Sequence, residues 1–207
     1  MTLDDYILQH IDPEGDYLHA LYRATNLRLL YPHMVSGHLQ GRILKMLVAL
    51  TQPRRVLEIG TYSGYSALCM AEGLTGDGHL YTFEINDEQE AFTRGWIDGS
   101  PHAHRITFRI GDALALAPAL GETFDLVFID GDKRSYIDYY EMAMRLTTER
   151  GVLVADNTLW DGHVVDPEAH DAQTRGIRAF NDHVAADPRV EKVILPLRDG
   201  LTVIRKK

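Results

Sequence analysis

The rhythm of apolar residues changes near residue 55, and this change constrains the fold more than any other feature of the chain. From Val56 onward, short apolar runs of strand length alternate with longer amphipathic segments. Strands that alternate with helices predict a mostly parallel sheet with helices on both faces. The predicted strands cover residues 56–59, 80–84, 106–110, 126–129, 152–155, 190–195 and 201–205.

The segments before and between these strands have apolar residues at helical spacing. The predicted helices are Asp16–Leu30, Gly37–Leu50, Tyr65–Leu74, Asp87–Trp96, Leu114–Leu120, Tyr136–Leu146 and Arg175–Ala186. Only "PLRDG" separates the last two strands, which is too short for a helical crossover. We therefore expect an α/β fold with seven strands whose last strand runs antiparallel.

The size and composition of the chain indicate one globular domain. Its 207 residues suffice for one substantial core, with residues 1–52 as a helical cap and residues 53–207 as the core. No apolar run approaches 18 residues and no secretory signal is visible, so we expect a cytoplasmic protein that does not enter membranes. The single cysteine, Cys69, fits a reducing compartment and lies in an apolar helical pattern that predicts burial.

The first predicted strand runs into a glycine-containing turn, "VLEIGTYSGYS". Gly60 and Gly64 allow a tight turn and close approach of a ligand, and Glu58 lies near the end of the strand. The spacing lacks the middle glycine of the dinucleotide pattern Gly-x-Gly-x-x-Gly. It suits an adenosyl ligand without phosphate, although plain turn chemistry explains the glycines equally well.

The second and third strands also end in acids. Glu84 can accept hydrogen bonds from both ribose hydroxyls of an adenosyl group, and its charge would repel a 2′-phosphate. Asp112 can accept from an adenine amine, and the backbone N–H of Ala113 can donate to a ring nitrogen. A helix cap or first-turn acid is the alternative for each carboxylate.

The fourth and fifth strands end in Asp130 and in Asp156 with Asn157. In open parallel sheets, ligands bind beyond the carboxyl ends of the strands. Two carboxylates and an amide oxygen are hard ligands that suit Mg²⁺, Ca²⁺ or Mn²⁺. The alternatives are an Asx-turn at Asp156–Asn157 and a helix cap at Asp130.

Two further residues follow these acids. A solvated lysine has a pKa of about 10.4, which a nearby divalent cation would lower, so that Lys133 could accept a proton. Its alternative is an exposed loop lysine. Trp160 is a candidate aromatic wall over a planar substrate, or simply a packing residue of the loop.

Together these motifs resemble the cation-dependent O-methyltransferases that use S-adenosylmethionine, the catechol and caffeoyl-CoA O-methyltransferase group. The resemblance runs from about Met34 to the C-terminus. It rests on the segments "HMVSGHLQGRIL", "VLEIGTYSGYSALCMA", "FDLVFIDGDKRSY", "VLVADNTLWDGHVVDP" and "DPRVEKVILPLRDGLTVIRK". It implies a Rossmann-like class I methyltransferase fold, and often a homodimer.

The resemblance also implies roles for individual residues. Asp130, Asp156 and Asn157 match the metal ligands, and Lys133 matches the general base. Glu84 matches the ribose-binding acid, Ser66 a contact to the methionine carboxylate, and Met34 a residue near the transferred methyl. The full set of implied cofactor contacts is Met34, Ser36, Glu58, Gly60, Tyr62, Ser66, Glu84, Asp112, Ala113 and Asp130.

The implied reaction is methyl transfer to a hydroxyl of a catechol-like or phenylpropanoid small molecule. The loop at residues 161–170 carries no acyl-CoA recognition signature. A 5-hydroxyuridine in tRNA is the alternative acceptor, which the net charge of −9 disfavours. Two other classes remain open: an oxidoreductase that uses a nicotinamide cofactor, and a binding protein without catalysis.

Overall fold

A computed structural model describes the whole chain, Met1–Lys207, and contains seven strands in one sheet. The strands are β1 (Arg55–Ile59), β2 (His79–Glu84), β3 (Ile106–Ile110), β4 (Phe124–Ile129), β5 (Thr147–Ala155), β6 (Val190–Leu195) and β7 (Leu201–Lys206). All seven predicted strands are present, and two of them, β3 and β6, have the predicted bounds.

The strand order is β3-β2-β1-β4-β5-β7-β6. Strand β1 pairs in parallel with β4, β2 with β3, and β4 with β5. Strand β7 is antiparallel to both of its neighbours, β5 and β6. The predicted fold, a mostly parallel seven-stranded sheet with a reversed last strand, is therefore confirmed.

Eight α-helices accompany the sheet. They are α1 (Leu3–Gln9), α2 (Asp16–Arg28), α3 (Gly37–Thr51), α4 (Tyr65–Gly73), α5 (Glu90–Asp98), α6 (Ala113–Leu116), α7 (Tyr136–Leu146) and α8 (Ala172–Ala186). The predicted helices at Asp87 and Leu114 are shorter than expected, because each includes a 3₁₀ turn. No helix combines the length and the apolar character that a membrane crossing requires.

Helix α1 was not predicted, because it has no buried face that would give an apolar rhythm. It is set instead by its cap, where the Thr2 hydroxyl accepts from the Asp5 N–H and the Asp5 carboxylate accepts from the Thr2 N–H. This reciprocal pair is a capping box, which satisfies backbone donors at the start of the helix.

The residues group into two compact units. The N-terminal unit comprises Met1–Arg54 and Thr61–Ile110. In it, α3 packs on α4 around Leu44, Val48 and Leu68, which are all buried. Cys69 is also buried, and burial raises the pKa of its thiol to about 12, so it stays a neutral packing group as predicted.

The C-terminal unit comprises Arg55–Gly60 and Gly111–Lys207. Strands β1 and β4 are buried along most of their length, and β5 is buried and apolar at residues 153–155, as central parallel strands are. Tyr136 and Tyr140 of α7 both meet Phe180 of α8 edge to face, at 5.3 and 6.0 Å between ring centroids. These contacts hold α7 and α8 together next to β4.

An ion network joins the end of α8 to α7 within the same unit. The Arg189 guanidinium donates to both Asp187 and Glu141, and His183 hydrogen-bonds Glu141 at 2.8 Å. Asp187 is buried and also accepts from the Tyr140 hydroxyl at 2.8 Å. Three potential metal ligands meet here, but Arg189 already compensates the two carboxylates, so the cluster is a structural network.

Asp187→Asn should lower the free energy of unfolding by about 1–3 kcal/mol, because Arg189 loses a buried charged acceptor. Hydrogen bonds from Arg189 hold the pKa of Asp187 below its ordinary value. The pair therefore stabilises the protein above about pH 4, the unfolded-state pKa, and this contribution fades as the pH falls through the folded-state pKa. Urea unfolding between pH 7 and pH 2 measures this.

Asp77→Asn is the matched control, because the ion pair of Asp77 with Arg54 is largely exposed. It should change the free energy of unfolding by less than about 0.5 kcal/mol. If the free energies of unfolding of the wild type and Asp187→Asn differ by the same amount at pH 7 and at pH 2, the proposed stabilising role of the Asp187 charge is contradicted.

Candidate active site

The two predicted metal-binding acids lie side by side where β4 and β5 end. Ile129 of β4 pairs with Ala155 of β5, and Asp130 and Asp156 are the next residues on the two strands. Both backbones are held in register: Asp130 N donates to Ile59 O at 2.8 Å, and Asp156 N donates to Ile129 O at 3.0 Å. The structure thus brings the two carboxylates to neighbouring positions at one edge of the sheet.

Lys133 is buried beside these acids, with 8% of its surface exposed. Its Nζ donates to Asp130 Oδ1 at 2.8 Å and to the Tyr136 hydroxyl at 2.7 Å. The exposed-loop alternative for this lysine is therefore wrong. The Tyr136 hydroxyl in turn donates to the carbonyl of Asp156 at 3.0 Å, so one tyrosine connects the lysine to the second acid.

Tyr136 was missed by the sequence analysis because it reads as an ordinary apolar position of α7. It is fully buried, and burial raises the pKa of its hydroxyl, with Asp130 and Asp156 adding to the effect. The negative charges of Asp130 and Asp156 therefore both disfavour ionisation of the Tyr136 hydroxyl. Tyr136 therefore stays neutral, and its oxygen orients the lysine by accepting from Nζ while its proton is donated to the Asp156 carbonyl.

Asp156 and Asn157 belong to the same cluster of side chains as Asp130, Lys133 and Tyr136. Asp156 is buried, and its Oδ1 accepts from the N–H of Asn157 at 2.8 Å. An Asx-turn would use the N–H of Thr158, which instead donates to the Gly200 carbonyl at 3.1 Å, so that alternative is wrong. Asn157 has a left-handed backbone with φ 56°, which asparagine tolerates better than most residues.

The helix-cap alternative for Asp130 is also wrong, because the acid that caps the next turn is Asp132. Its Oδ1 accepts from the N–H of Arg134 at 3.0 Å, and its carboxylate pairs with the Arg134 guanidinium. The side chain of Asp130 instead accepts from Lys133 through one oxygen only.

The available oxygens fit a hard divalent cation. Asp130 Oδ2 and Asn157 Oδ1 receive no hydrogen bond from the protein, and Asp156 contributes a further carboxylate. Two carboxylates and an amide oxygen are the ligand types that magnesium, calcium and manganese prefer. Two partly buried carboxylates also need positive charge nearby, which in the protein itself comes from Lys133.

Helix α8 supports this cluster from behind. Gly176 lies against the Lys133 turn so closely that an added Cβ would be 3.0 Å from Arg134 Cα and from the Lys133 carbonyl carbon. Asn181 Nδ2 donates to the carbonyl of Thr158 at 2.7 Å. The helix therefore contacts both the lysine turn and the loop that follows Asn157.

Arg178 of α8 organises the rest of that loop. Its guanidinium donates to the backbone carbonyls of His163, Val164, Asp166 and Ala169. Trp160, the predicted aromatic wall, is half-buried at the start of the loop with φ 47°. Sequence reasoning missed Gly176, Arg178 and Asn181, since isolated polar residues and a glycine in a helix carry no local signal.

In the N-terminal unit, Glu84 ends β2 with both oxygens engaged by backbone. Its Oε2 accepts from the N–H of Tyr62 at 2.8 Å and its Oε1 from the N–H of Asn86 at 2.9 Å. A carboxylate has about four acceptor sites, so capacity for hydroxyl donors remains. Tyr62 has φ 47°, and its carbonyl accepts from the Thr93 hydroxyl, which fixes the turn.

The other predicted cofactor contacts of this unit are Met34, Ser36 and Ser66. Met34 is half exposed, with 51% of its surface accessible. Ser36 is buried immediately before α3, and Ser66 is buried in the first turn of α4. Ser36 and Ser66 thus lie at the starts of two helices, and the role of all three residues as cofactor contacts stays a prediction.

In the C-terminal unit, Gly60 is the predicted contact with the tightest surroundings. It has φ 95°, and an added Cβ would be 2.8 Å from the carbonyl carbon of Asp130. Glu58 is completely buried in β1. Asp112 is exposed and caps α6, with its Oδ1 accepting from the N–H of Leu114 at 2.9 Å, and the buried Ala113 begins the helix. The cap alternative for Asp112 is therefore confirmed, and one of its oxygens is occupied.

Gly176→Ala should lower the free energy of unfolding by about 1–3 kcal/mol, because the new methyl group would overpack the backbone of Lys133 and Arg134. Gly95→Ala in α5 is the matched control, since its Cβ would meet nothing within 4 Å. The control should raise the free energy of unfolding by about 0.5–1 kcal/mol. Urea unfolding distinguishes the two variants, and equal stabilities would refute the close contact.

Comparisons with known proteins agree with this arrangement. The family model described as O-methyltransferase matches residues 9–207. Caffeoyl-CoA O-methyltransferase 1 of Arabidopsis thaliana is 38% identical over 190 residues, covering 84% of this chain and 71% of the relative. Catechol O-methyltransferase of Niastella koreensis is 34% identical over 202 residues, covering 95% and 90%.

Among solved structures, the O-methyltransferase from Bacillus cereus in complex with SAH has a TM-score of 0.92 and 30% identity. That match covers 99% of this chain and 97% of the other. The structural similarity thus extends over nearly the whole chain. The chain belongs to the O-methyltransferase family.

Proposed function

We propose that the protein is an S-adenosylmethionine-dependent and divalent-cation-dependent O-methyltransferase that acts on a vicinal hydroxyl of a catechol-like or phenylpropanoid small molecule. One observation carries the proposal. Asp130 and Asp156 end paired strands beside Asn157, and the buried Lys133 donates to Asp130 at 2.8 Å. This is a set of hard ligands with a basic group within reach.

The cofactor assignment is supported by the strand-end acids and by the relatives. Glu84 would accept from the ribose hydroxyls, and Asp112 with Ala113 would contact the adenine. Met34, Ser36, Glu58, Gly60, Tyr62, Ser66 and Asp130 complete the proposed contacts. The Bacillus cereus relative was solved with SAH, the product form of the same cofactor.

When bound, S-adenosylmethionine supplies an activated methyl group, and a divalent cation supplies charge that makes an adjacent hydroxyl more acidic. Asp130, Asp156 and Asn157 would hold the cation through their oxygens. Mg²⁺ is the proposed ion, with Ca²⁺ and Mn²⁺ as alternatives of the same ligand preference.

Lys133 has the geometry of a base for the acceptor hydroxyl. Its Nζ is fixed by Asp130 and by Tyr136, so its position is set before a substrate arrives. Beside a bound divalent cation, Lys133 would favour its neutral form, and the hydroxyl proton would then pass to the free Nζ lone pair while the acceptor oxygen forms a bond to the methyl carbon and the carbon–sulfur bond breaks. The products are a methyl ether and S-adenosylhomocysteine, and most of the rate gain would come from positioning.

The relatives and the loop after Asn157 support the proposed acceptor class. The Niastella koreensis relative, named for catechol, aligns with 95% of the chain. Trp160 offers a flat apolar surface for a ring at the start of that loop. The tRNA acceptor is the weaker alternative, since the relatives described above are named for small molecules and the net charge is −9.

Three broader expectations remain proposals. They are a single methyltransferase domain over residues 1–207, a homodimeric assembly and a cytoplasmic location. Sedimentation of the purified chain would test the assembly, and a tagged chain in its own cell would test the location.

Asp156→Ala should abolish methyl transfer to catechol while S-adenosylhomocysteine binding stays within about threefold of wild type. The reason is that Asp156 is proposed as a cation ligand and is absent from the proposed cofactor contacts. Turnover of the wild type should be lost in EDTA and restored by added Mg²⁺. The variant should stay inactive in both conditions.

The exposed Asp182 of α8 provides the matched control, because Asp182→Ala removes the same charge far along the helix from Gly176. Its turnover should equal that of the wild type. Normal turnover by Asp156→Ala, or wild-type activity that survives EDTA, would sink the proposal.

A further inference from the structure

The loop that leaves β5 takes a backbone path that needs support from elsewhere in the fold. Asn157, Trp160 and Asp161 all have left-handed backbones, with φ of 56°, 47° and 49°. Residues other than glycine adopt this region rarely, and they keep it when the surrounding structure holds them. Asn157, a proposed cation ligand, therefore depends on contacts from other residues to keep this conformation.

The turn between β6 and β7 supplies the backbone part of this support. The carbonyl of Asp199 accepts from the N–H of Leu159 at 2.6 Å and from the N–H of Trp160 at 3.1 Å. The carbonyl of Gly200 accepts from the N–H of Thr158 at 3.1 Å. Three successive residues after Asn157 are thus bound to one turn.

Gly200 shows how closely this turn approaches the loop. An added Cβ would be 2.7 Å from the backbone nitrogen of Leu159, and the φ of 88° is itself a glycine conformation. Only a residue without a side chain allows this approach. The close contact between the turn and the loop therefore requires glycine at position 200.

The side chain of Asp199 reaches Asn157 itself. Asn157 Nδ2 donates to Asp199 Oδ2 at 3.2 Å. Asp199 also lies against the Asp161 carboxyl. In its ionised form Asp199 can only accept a hydrogen bond, so it selects the amide nitrogen and not the amide oxygen of Asn157. Asn157 Oδ1 then becomes the one side-chain atom of this residue that is available to a cation.

We propose that Asp199 is a positioning residue for cation binding, which fixes the Asn157 amide so that its oxygen serves as a ligand with Asp130 and Asp156. This inference rests on the proposed function. Groups that orient a ligand through a second hydrogen bond typically contribute about 10–100-fold to metal affinity. Neither the motif around Asn157 nor any strand-end rule pointed to Asp199.

The test is Mn²⁺ binding to the whole chain in the absence of acceptor, in which the free ion is measured by its electron paramagnetic resonance signal. Asp199→Ala should weaken Mn²⁺ binding by about 10–100-fold, because the Asn157 amide is then free to rotate. Asp199→Asn keeps the size and one acceptor oxygen, and should lose less affinity. Asp182→Ala, which removes an exposed carboxylate, should bind within about twofold of wild type.

The outcomes separate this inference from the proposed function. Wild-type protein that binds S-adenosylhomocysteine but no Mn²⁺ would overturn the cation site and this inference together. Wild-type Mn²⁺ affinity in both Asp199 variants would overturn this inference alone. Should thermal unfolding show that Asp199→Ala does not fold, Asp199→Leu, which fills a similar space without an acceptor oxygen, carries the test, and unchanged affinity there overturns the inference in the same way.

Discussion

The central physical constraint in this protein is the placement of two carboxylates at adjacent, paired strand ends. The register of β4 and β5 makes Asp130 and Asp156 neighbours, and like charges at short range in a partly buried place are costly. The ammonium of Lys133 offsets part of that cost within the protein. This charge pattern supports the proposed cation site, with the proposed base Lys133 next to it.

The supporting parts come from far along the chain. Gly176 allows α8 to touch the backbone of Lys133, while Arg178 and Asn181 bind carbonyls of the loop after Asn157. These contacts are made to the backbone, so they fix the backbone from which the side chains extend and do not occupy the oxygens of the proposed cation ligands. One helix therefore positions both halves of the cluster, which is why overpacking at a single glycine should be felt throughout it.

Much of the fold was predictable because its signal is periodic and repeated. Seven apolar runs separated by helical segments leave few topologies, and the short "PLRDG" connection predicts the reversal of β7. Helix α1 was not predictable in this way, because none of its residues is buried. Likewise, Tyr136 looks like any other apolar residue of α7, although its hydroxyl joins Lys133 to the carbonyl of Asp156.

The acids at the strand ends show what position alone could not decide. Asp112 and Asp132 cap the next turn, each accepting from an N–H two residues on. Asp130 and Asp156 follow strands in the same way, yet neither does so. All four fit one sequence pattern, and the difference depends on the path of the backbone after each strand. The Asp132 carboxylate is engaged by the start of its own turn and by the Arg134 guanidinium, whereas Asp130 accepts from the buried Lys133 through one oxygen and keeps the other available.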